Sequence, residues 1–251
     1  MSASPDRAEA VGRRILGRVD STNAEGMRRL AAGEGPVWIL AAEQTAGRGR
    51  RGRPWSSPPG NLHATFALRH DQPPARTALR SFTAALALHD ALGAATGLPG
   101  AFALKWPNDV LLDGGKVAGI LLEAQDMPAG HALCVGFGAN LIAAPEAAHL
   151  EHGALPAVTV LAGTGLRIAP EGLLDRLAPA LARWDGVLDG QGFAPVRAAW
   201  LARAARLGEP IRARTGRAEH RGIFRTLDDT GALVLDAPGG RLAIPAAEVF
   251  F

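Results

Sequence analysis

The stretch from Gln44 to Gly60 limits the fold more than any other part of the chain. It is rich in glycine, arginine and proline, and its core reads Gly47-Arg48-Gly49-Arg50-Arg51-Gly52-Arg53-Pro54-Trp55. Such a segment can propagate neither a helix nor a strand, because glycine costs backbone entropy and proline removes a donor. The apolar runs on either side, Pro36–Glu43 and Asn61–Leu68, both have strand character. The loop is therefore clamped inside a globular unit.

Around this loop the pattern predicts an α+β domain. Asp20–Ala31 reads as a helix, with Ser21 or Thr22 as cap and Thr22/Glu25 spaced as a capping box. Thr77–Ala95 is a longer helix carrying Leu79, Phe82, Leu86 and Leu88 among alanines. Ala101–Trp106 and Val110–Leu112 read as strands about a Pro107–Asp109 turn. Asp113-Gly114-Gly115 marks a tight turn, Lys116–Glu123 a returning strand, and His131–Gly138 another. Val158–Leu161, Glu171–Leu188 and Phe193–Arg203 read as helices. Beyond Leu207 the pattern changes to short strands, Pro210–Arg214, Glu219–Asp228, Ala232–Leu235 and Arg241–Ile244. We expect a mixed-sheet domain over residues 1–206 and a small β-barrel over 207–251.

Composition excludes several classes. The net charge of +3, from 27 basic and 24 acidic residues, is not that of a dedicated nucleic-acid protein. The one cysteine, Cys134, lies in an apolar run and makes neither an internal disulfide nor a zinc site, which suits a reducing cytoplasm. Met1–Ala10 has no apolar core of a signal peptide, and no run reaches the ~20 apolar residues of a membrane span.

Four arginines between Arg48 and Arg53 concentrate positive charge that a bound anion would offset. Glycines let the backbone approach a ligand, and arginine forks match phosphate or carboxylate oxygens. Three readings stand: a solvated loop, an AT-hook in which Arg51-Gly52-Arg53-Pro54 enters a minor groove, and a loop that orders over a nucleotide or acyl phosphate. The third gives Trp55 a use as a flat apolar surface, although Trp55 suits a core equally. Lys105-Trp106-Pro107-Asn108-Asp109 sets a cation, an amide and a carboxylate around a turn; Asp109 suits a metal ion, an amine nucleophile, or a simple Asx turn. Lys116 opens a strand as either a solvated hairpin end or a neutraliser of a ligand carboxylate. Gly119 hints at close backbone approach to a ligand, and Gly136-Phe137-Gly138-Ala139-Asn140 repeats that hint, with small residues and then an amide that could contact a ligand.

In this order the pieces resemble the biotin–protein ligase family. The matching residues are Asp20-Ser21-Thr22-Asn23, Gln44 with Ala46–Arg53 and Trp55, Lys105–Asp109, Lys116 with Ala118-Gly119-Ile120, and Gly138 with Asn140, and the likeness runs from about Val19 to Phe250. The resemblance implies an α+β catalytic domain followed by an SH3-like barrel. It implies activation of biotin by ATP, with Mg²⁺, as biotinyl-5′-AMP, then transfer to a lysine of a biotin carboxyl carrier protein, such as that of acetyl-CoA carboxylase.

Carried over by residue, Ser21, Thr22, Asn23 and Gln44 would bind biotin, with Arg48, Gly49, Arg50, Lys116, Gly119 and Gly138 around it. Arg50, Arg51 and Arg53 would bind phosphates, and Trp55 and Asn108 the adenine, with Lys105 and Asn140 also on the nucleotide. Lys116, Arg48 and Asp109 would be catalytic, Asp109 lying near the metal and the incoming lysine; Arg225 is a candidate ATP contact from the small domain. About twenty residues precede Asp20, too few for the winged-helix domain of repressor members, so no operator binding is expected. Monomer and homodimer both remain open. Rival readings are a lipoate ligase or octanoyl transferase, the AT-hook DNA binder, and a non-catalytic carrier-protein scaffold.

Overall fold

The computed structural model describes residues 11–128, 130–145, 155–216 and 218–251; Met1–Ala10, read above as lacking a signal peptide, lies outside them. Seven strands form one mixed sheet: β1 (Arg13–Val19), β2 (Val37–Gln44), β3 (Leu62–His70), β4 (Phe102–Lys105), β5 (Asp109–Leu112), β6 (Gly115–Asp126) and β7 (His131–Ala139). Their order is β1-β2-β3-β7-β6-β5-β4. Only β1 and β2 are parallel, joined through helix α1 (Thr22–Ala31); every other neighbour is antiparallel.

β1 escaped the sequence reading. It is an edge strand, mostly exposed, with Ile15 at 66%, so it lacks the apolar run or alternation by which strands are recognised. The predicted capping box also fails. Ser21 is the N-cap, its Oγ accepting from the Ala24 N–H at 3.5 Å, and Glu25 turns instead to Arg28 and Arg29.

Strand alternation divides the core in two. Val37 and Ile39 of β2, Ala67 of β3 and Ala132 and Cys134 of β7 pack under Leu30 of α1. Trp38 and Leu40, Phe66, and Val135 and Phe137 face the other way, where Trp38 stacks on Phe66 with centroids 5.0 Å apart. That side is covered by α3 (Arg80–Thr96), which follows the short α2 (Pro74–Ala78), and by α5 (Pro170–Gln191) and α6 (Phe193–Leu201), beyond the short α4 (Val160–Thr164). The expected single helix Thr77–Ala95 is thus two pieces.

The C-terminal strands β8 (Pro210–Arg214), β9 (Glu219–Leu227), β10 (Leu233–Ala237), β11 (Gly240–Ile244) and β12 (Glu248–Phe250) form an antiparallel sheet in the order β11-β10-β9-β8-β12. Its hydrogen-bonded ladder is open where a barrel was expected. β12, only three residues long, also went unread in the sequence. Trp106 Nε1 donates to Gly231 O at 3.1 Å and ties this sheet to the main domain. Among the described residues no helix is long and apolar enough to cross a membrane.

Candidate active site

The site occupies the α1 face of the large sheet, where the sequence leaves the strands bare. On β7 the α1-facing residues run Cys134, Gly136, Gly138, and Gly138 is the cross-strand partner of Gly119 on β6. A Cβ at Gly136 would lie 2.4 Å from Asn23 Oδ1, and one at Gly138 2.6 Å from Trp55 Nε1. A Cβ at Gly119 would lie 3.4 Å from Trp55 Cζ3. The glycines make a floor, and the Trp55 indole rests on it with its buried N–H unpartnered.

One wall is the start of α1. Gln44 Oε1 accepts from both the Thr22 N–H (2.8 Å) and Thr22 Oγ1 (3.0 Å), while Gln44 Nε2 donates to Ser57 Oγ at 2.9 Å. Asn23 Nδ2 donates to Glu123 Oε2 at 2.8 Å, and Thr65 Oγ1 lies 2.7 Å from Asn23 Oδ1. Ser21, Thr22 and Asn23 are buried. A polar cluster of this kind presents both donors and acceptors to a ligand with a urea-like edge.

The opposite wall is a charge triad built on the buried Asp109, with Lys105 and Lys116 partly exposed. Asp109 opposes Gly119 across β5 and β6, and a bulge between Val110 and Leu111 shifts the register so that Leu111 opposes Lys116. The bulge decides the chemistry. Lys116 and Gly119 are three residues apart and would face opposite sides of a regular strand. With Val117 and Ala118 both turned into the core, Lys116 comes back to the face of Asp109.

Lys116 Nζ lies 2.7 Å from Asp109 Oδ1 and Lys105 Nζ 3.5 Å from Oδ2. Burial pushes the Asp109 carboxyl up, but the two lysines outweigh it and hold the group below the usual carboxylate range. Burial lowers Lys105 despite Asp109 beside it. Asn108 Nδ2 donates to Ile120 O at 2.7 Å. The Trp106–Pro107 peptide is cis.

The hairpin Gly47–Trp55 forms the roof. Arg48 bridges Pro54, Trp55 N–H donates to Gly47 O at 2.9 Å, and a 3-10 turn spans Arg50–Gly52 with Arg51 at φ 58° and Gly52 at φ 72°. An AT-hook needs an extended segment, whereas these residues turn back on themselves. Arg48 Nε donates to Glu123 Oε1 at 3.1 Å, Arg53 pairs with Glu248 of β12, and Arg50 Nη1 reaches Asn108 Oδ1 at 3.5 Å.

The structure gathers Ser21, Thr22, Asn23, Gln44, Arg48, Gly49, Arg50, Arg53, Trp55, Lys105, Asn108, Asp109, Lys116, Gly119 and Gly138 around one region. Arg51 lies at the exposed hairpin tip. Asn140 is buried and joins Val117 and Val160 through its backbone. Arg225 is drawn to Asp236 at 2.6 Å, an exposed pair on the small sheet. Sequence reasoning missed Ser57, Thr65, Glu123 and Glu248, whereas Gly136 falls within the run Gly136–Asn140 singled out above. Glu123 had a signal, since it continues the α1 face of β6; Glu248 had none.

Asp109 does not suit the role of metal ligand, because both its oxygens already face ammonium groups. Among the described residues no cluster of three or more His, Cys, Asp or Glu could hold a metal ion.

Residues 12–140 match the model of the biotin/lipoate A/B protein ligase family, and residues 207–251 that of the biotin protein ligase C terminal domain. A biotin–[acetyl-CoA-carboxylase] ligase of Paracoccus denitrificans is 58% identical over 94% of this chain and 99% of its own length. This chain belongs to the biotin protein ligase family. A ligase of the same name from Mycobacterium tuberculosis is 34% identical over 94% of this chain and 87% of its own length. The biotin protein ligase of Aquifex aeolicus, solved with biotin and ATP, superposes with a TM-score of 0.78 at 26% identity, over 95% of this chain and 97% of that one. The family's two-part architecture thus corresponds to the large mixed sheet and the small C-terminal sheet seen here.

Proposed function

We propose that this chain is a biotin–[acetyl-CoA-carboxylase] ligase: it activates biotin with ATP and passes the biotinyl group to a lysine of a carboxylase carrier domain. The observation that carries the reading is the glycine floor between the Lys116–Asp109 pair and the arginine hairpin. It has cations on one side and a mixed donor–acceptor cluster on the other. Close relatives bearing the ligase name support it.

In this reading the ureido ring lies against Ser21, Thr22, Asn23 and Gln44, and the carboxylate points to Lys116, with Arg48 and Gly49 close by. A carboxylate oxygen attacks the α-phosphorus of ATP, the bond to pyrophosphate breaks, and a mixed anhydride forms. Arg50, Arg51 and Arg53 take up phosphate charge, and Lys105, Asn108 and Trp55 border the nucleotide. Such a transfer is mainly positioning and charge stabilisation, which fixed cations supply. Mg²⁺ would be held chiefly by the phosphates of ATP and would neutralise their charge there.

The neutral acceptor amine then attacks the anhydride carbon, the carbon–oxygen bond to phosphate breaks, AMP leaves with that electron pair, and the surplus amine proton passes to water. Asp109 is held ionised by two lysines, so it is a weak base and serves to orient Lys116 instead of taking a proton. Residues 1–206 form the catalytic unit and 207–251 the appended one.

ATP–pyrophosphate exchange tests the reading. We expect exchange dependent on biotin and none with lipoate; exchange with lipoate alone would reassign the substrate.

A further inference from the structure

Away from the glycine floor, the end of β3 and the start of β7 bring two histidines together. His70 and His131 are cross-strand partners. Their ring centroids lie 5.5 Å apart, with the planes tilted by 34°. His131 has the parity of Leu133, Val135 and Phe137, and His70 that of Ala64, Phe66 and Leu68. The pair therefore faces the helix-covered side of the sheet and not the glycine floor.

Hydrogen bonding fixes where the ring protons sit. His131 Nδ1 lies 2.8 Å from Asp126 Oδ1. A carboxylate only accepts, so Nδ1 carries the proton and Nε2 keeps a lone pair. Thr77 Oγ1 donates its one proton to Pro73 O at 3.2 Å and lies 3.5 Å from His70 Nδ1. It can only accept from that nitrogen, which leaves a lone pair on His70 Nε2 as well. Burial, then the neighbouring His131 and Arg80, holds His70 below the ordinary imidazole range against the pull of Asp71. Arg80 is itself matched by Asp185 and Asp189. His70 Nε2 is nonetheless buried without a partner, a cost that an ion or a water removes.

We propose that His70 and His131 form a two-histidine site for a borderline divalent cation, Zn²⁺ foremost, held by the two Nε2 atoms with water in its remaining positions. Two imidazoles that share a tetrahedral Zn²⁺ place their centroids about 5 Å apart, close to the spacing found here. Neutral imidazole suits Zn²⁺, whereas Mg²⁺ prefers oxygen. Asp126 supplies the outer carboxylate that orients a histidine ligand and raises its basicity. The ion joins β3 to β7 at the opposite end of these strands from Gly138 and its partner His63, and it is separate from the Mg²⁺ of the ATP reaction.

Calorimetric titration of tag-free protein with Zn²⁺ tests this, on the parent and on His70→Gln, His131→Gln and Asp126→Asn. We expect one ion per chain in the parent. Either histidine variant should bind more than about a hundredfold more weakly, and Asp126→Asn about tenfold more weakly, as for an outer-shell carboxylate. Zn²⁺ should also raise the urea midpoint of the parent and leave that of His131→Gln in place, because the ion binds only the folded pair.

No binding to the parent would overturn the site and leave a water as the partner of His70 Nε2. Binding that survives in both histidine variants would overturn it by placing the ion elsewhere. Mg²⁺ binding with the same dependence on the histidines would overturn the class of cation. His131 is partly exposed, so His131→Gln decides the matter if His70→Gln does not fold.

Discussion

Two sets of positive charge flank the glycine floor, and they are held in opposite ways. Lys105 and Lys116 stand on strands, share one buried carboxylate, and owe their placement to a bulge in the β5–β6 ladder. Arg48 and Arg53 stand on a hairpin, and each leans on a separate, partly exposed carboxylate carried by another strand. Strand-borne charges keep their place whether or not a ligand is present, and their solvation is lost at folding. Hairpin charges depend on clips that water and salt can weaken. The sheet therefore supplies the fixed electrostatics of the reaction and the hairpin supplies affinity and closure.

The sharpest way to break this division is Lys116→Ala. A preorganised cation facing developing charge contributes about a hundredfold to a thousandfold in rate. We expect a loss of that size in biotin-dependent exchange, with unchanged circular dichroism. Near-normal exchange would mean that the hairpin arginines, and not the strand lysine, carry the chemistry.

Asp109→Asn probes stability instead. It leaves two neighbouring ammonium groups without their buried counter-charge, which predicts a loss of about 3–5 kcal/mol in urea unfolding at neutral pH. The sign with pH follows from Lys105. Its folded-state pKa already lies below the ordinary 10.5 because of burial, and removing Asp109 lowers it further. The penalty of keeping it charged is full below that folded value and shrinks as pH rises through it. The gap between variant and parent should narrow toward alkaline pH. A gap that stays constant would show that Asp109 acts by packing alone.

What the sequence revealed follows the same division. The hairpin was legible because its chemistry is local: glycines, arginines and a proline in a row exclude regular structure and invite an anion. The Lys105–Asp109 turn was legible for the same reason. Long helices and central strands showed through their apolar periodicity. The exposed edge strand β1 and the three-residue β12 did not, since neither buries enough apolar surface to mark a face. The partners of the arginines were also hidden. Glu123 and Glu248 lie 75 and 195 residues from Arg48 and Arg53, that is 123 minus 48 and 248 minus 53, and only strand pairing brings them near. Asp109 read equally well as a metal ligand or a turn residue, because its two lysines converge only after a register shift.

The smallest effect, and the finest test of floor against hairpin, comes from Gly138→Ala. The new methyl would stand 2.6 Å from Trp55 Nε1 and 2.7 Å from Cε2. The sheet has Cys134, Val135 and Phe137 packed on both sides of that strand, so the indole has to move, at about 1–3 kcal/mol of overpacking if it cannot. We expect altered near-ultraviolet circular dichroism and a severalfold higher KM for biotin. In a Trp55→Ala background the methyl meets no indole, so adding Gly138→Ala should change little. Strong non-additivity in this cycle would show that the floor acts on affinity through the hairpin resting on it; additive effects would mean that the bare glycine surface contacts the ligand directly and Trp55 contributes independently.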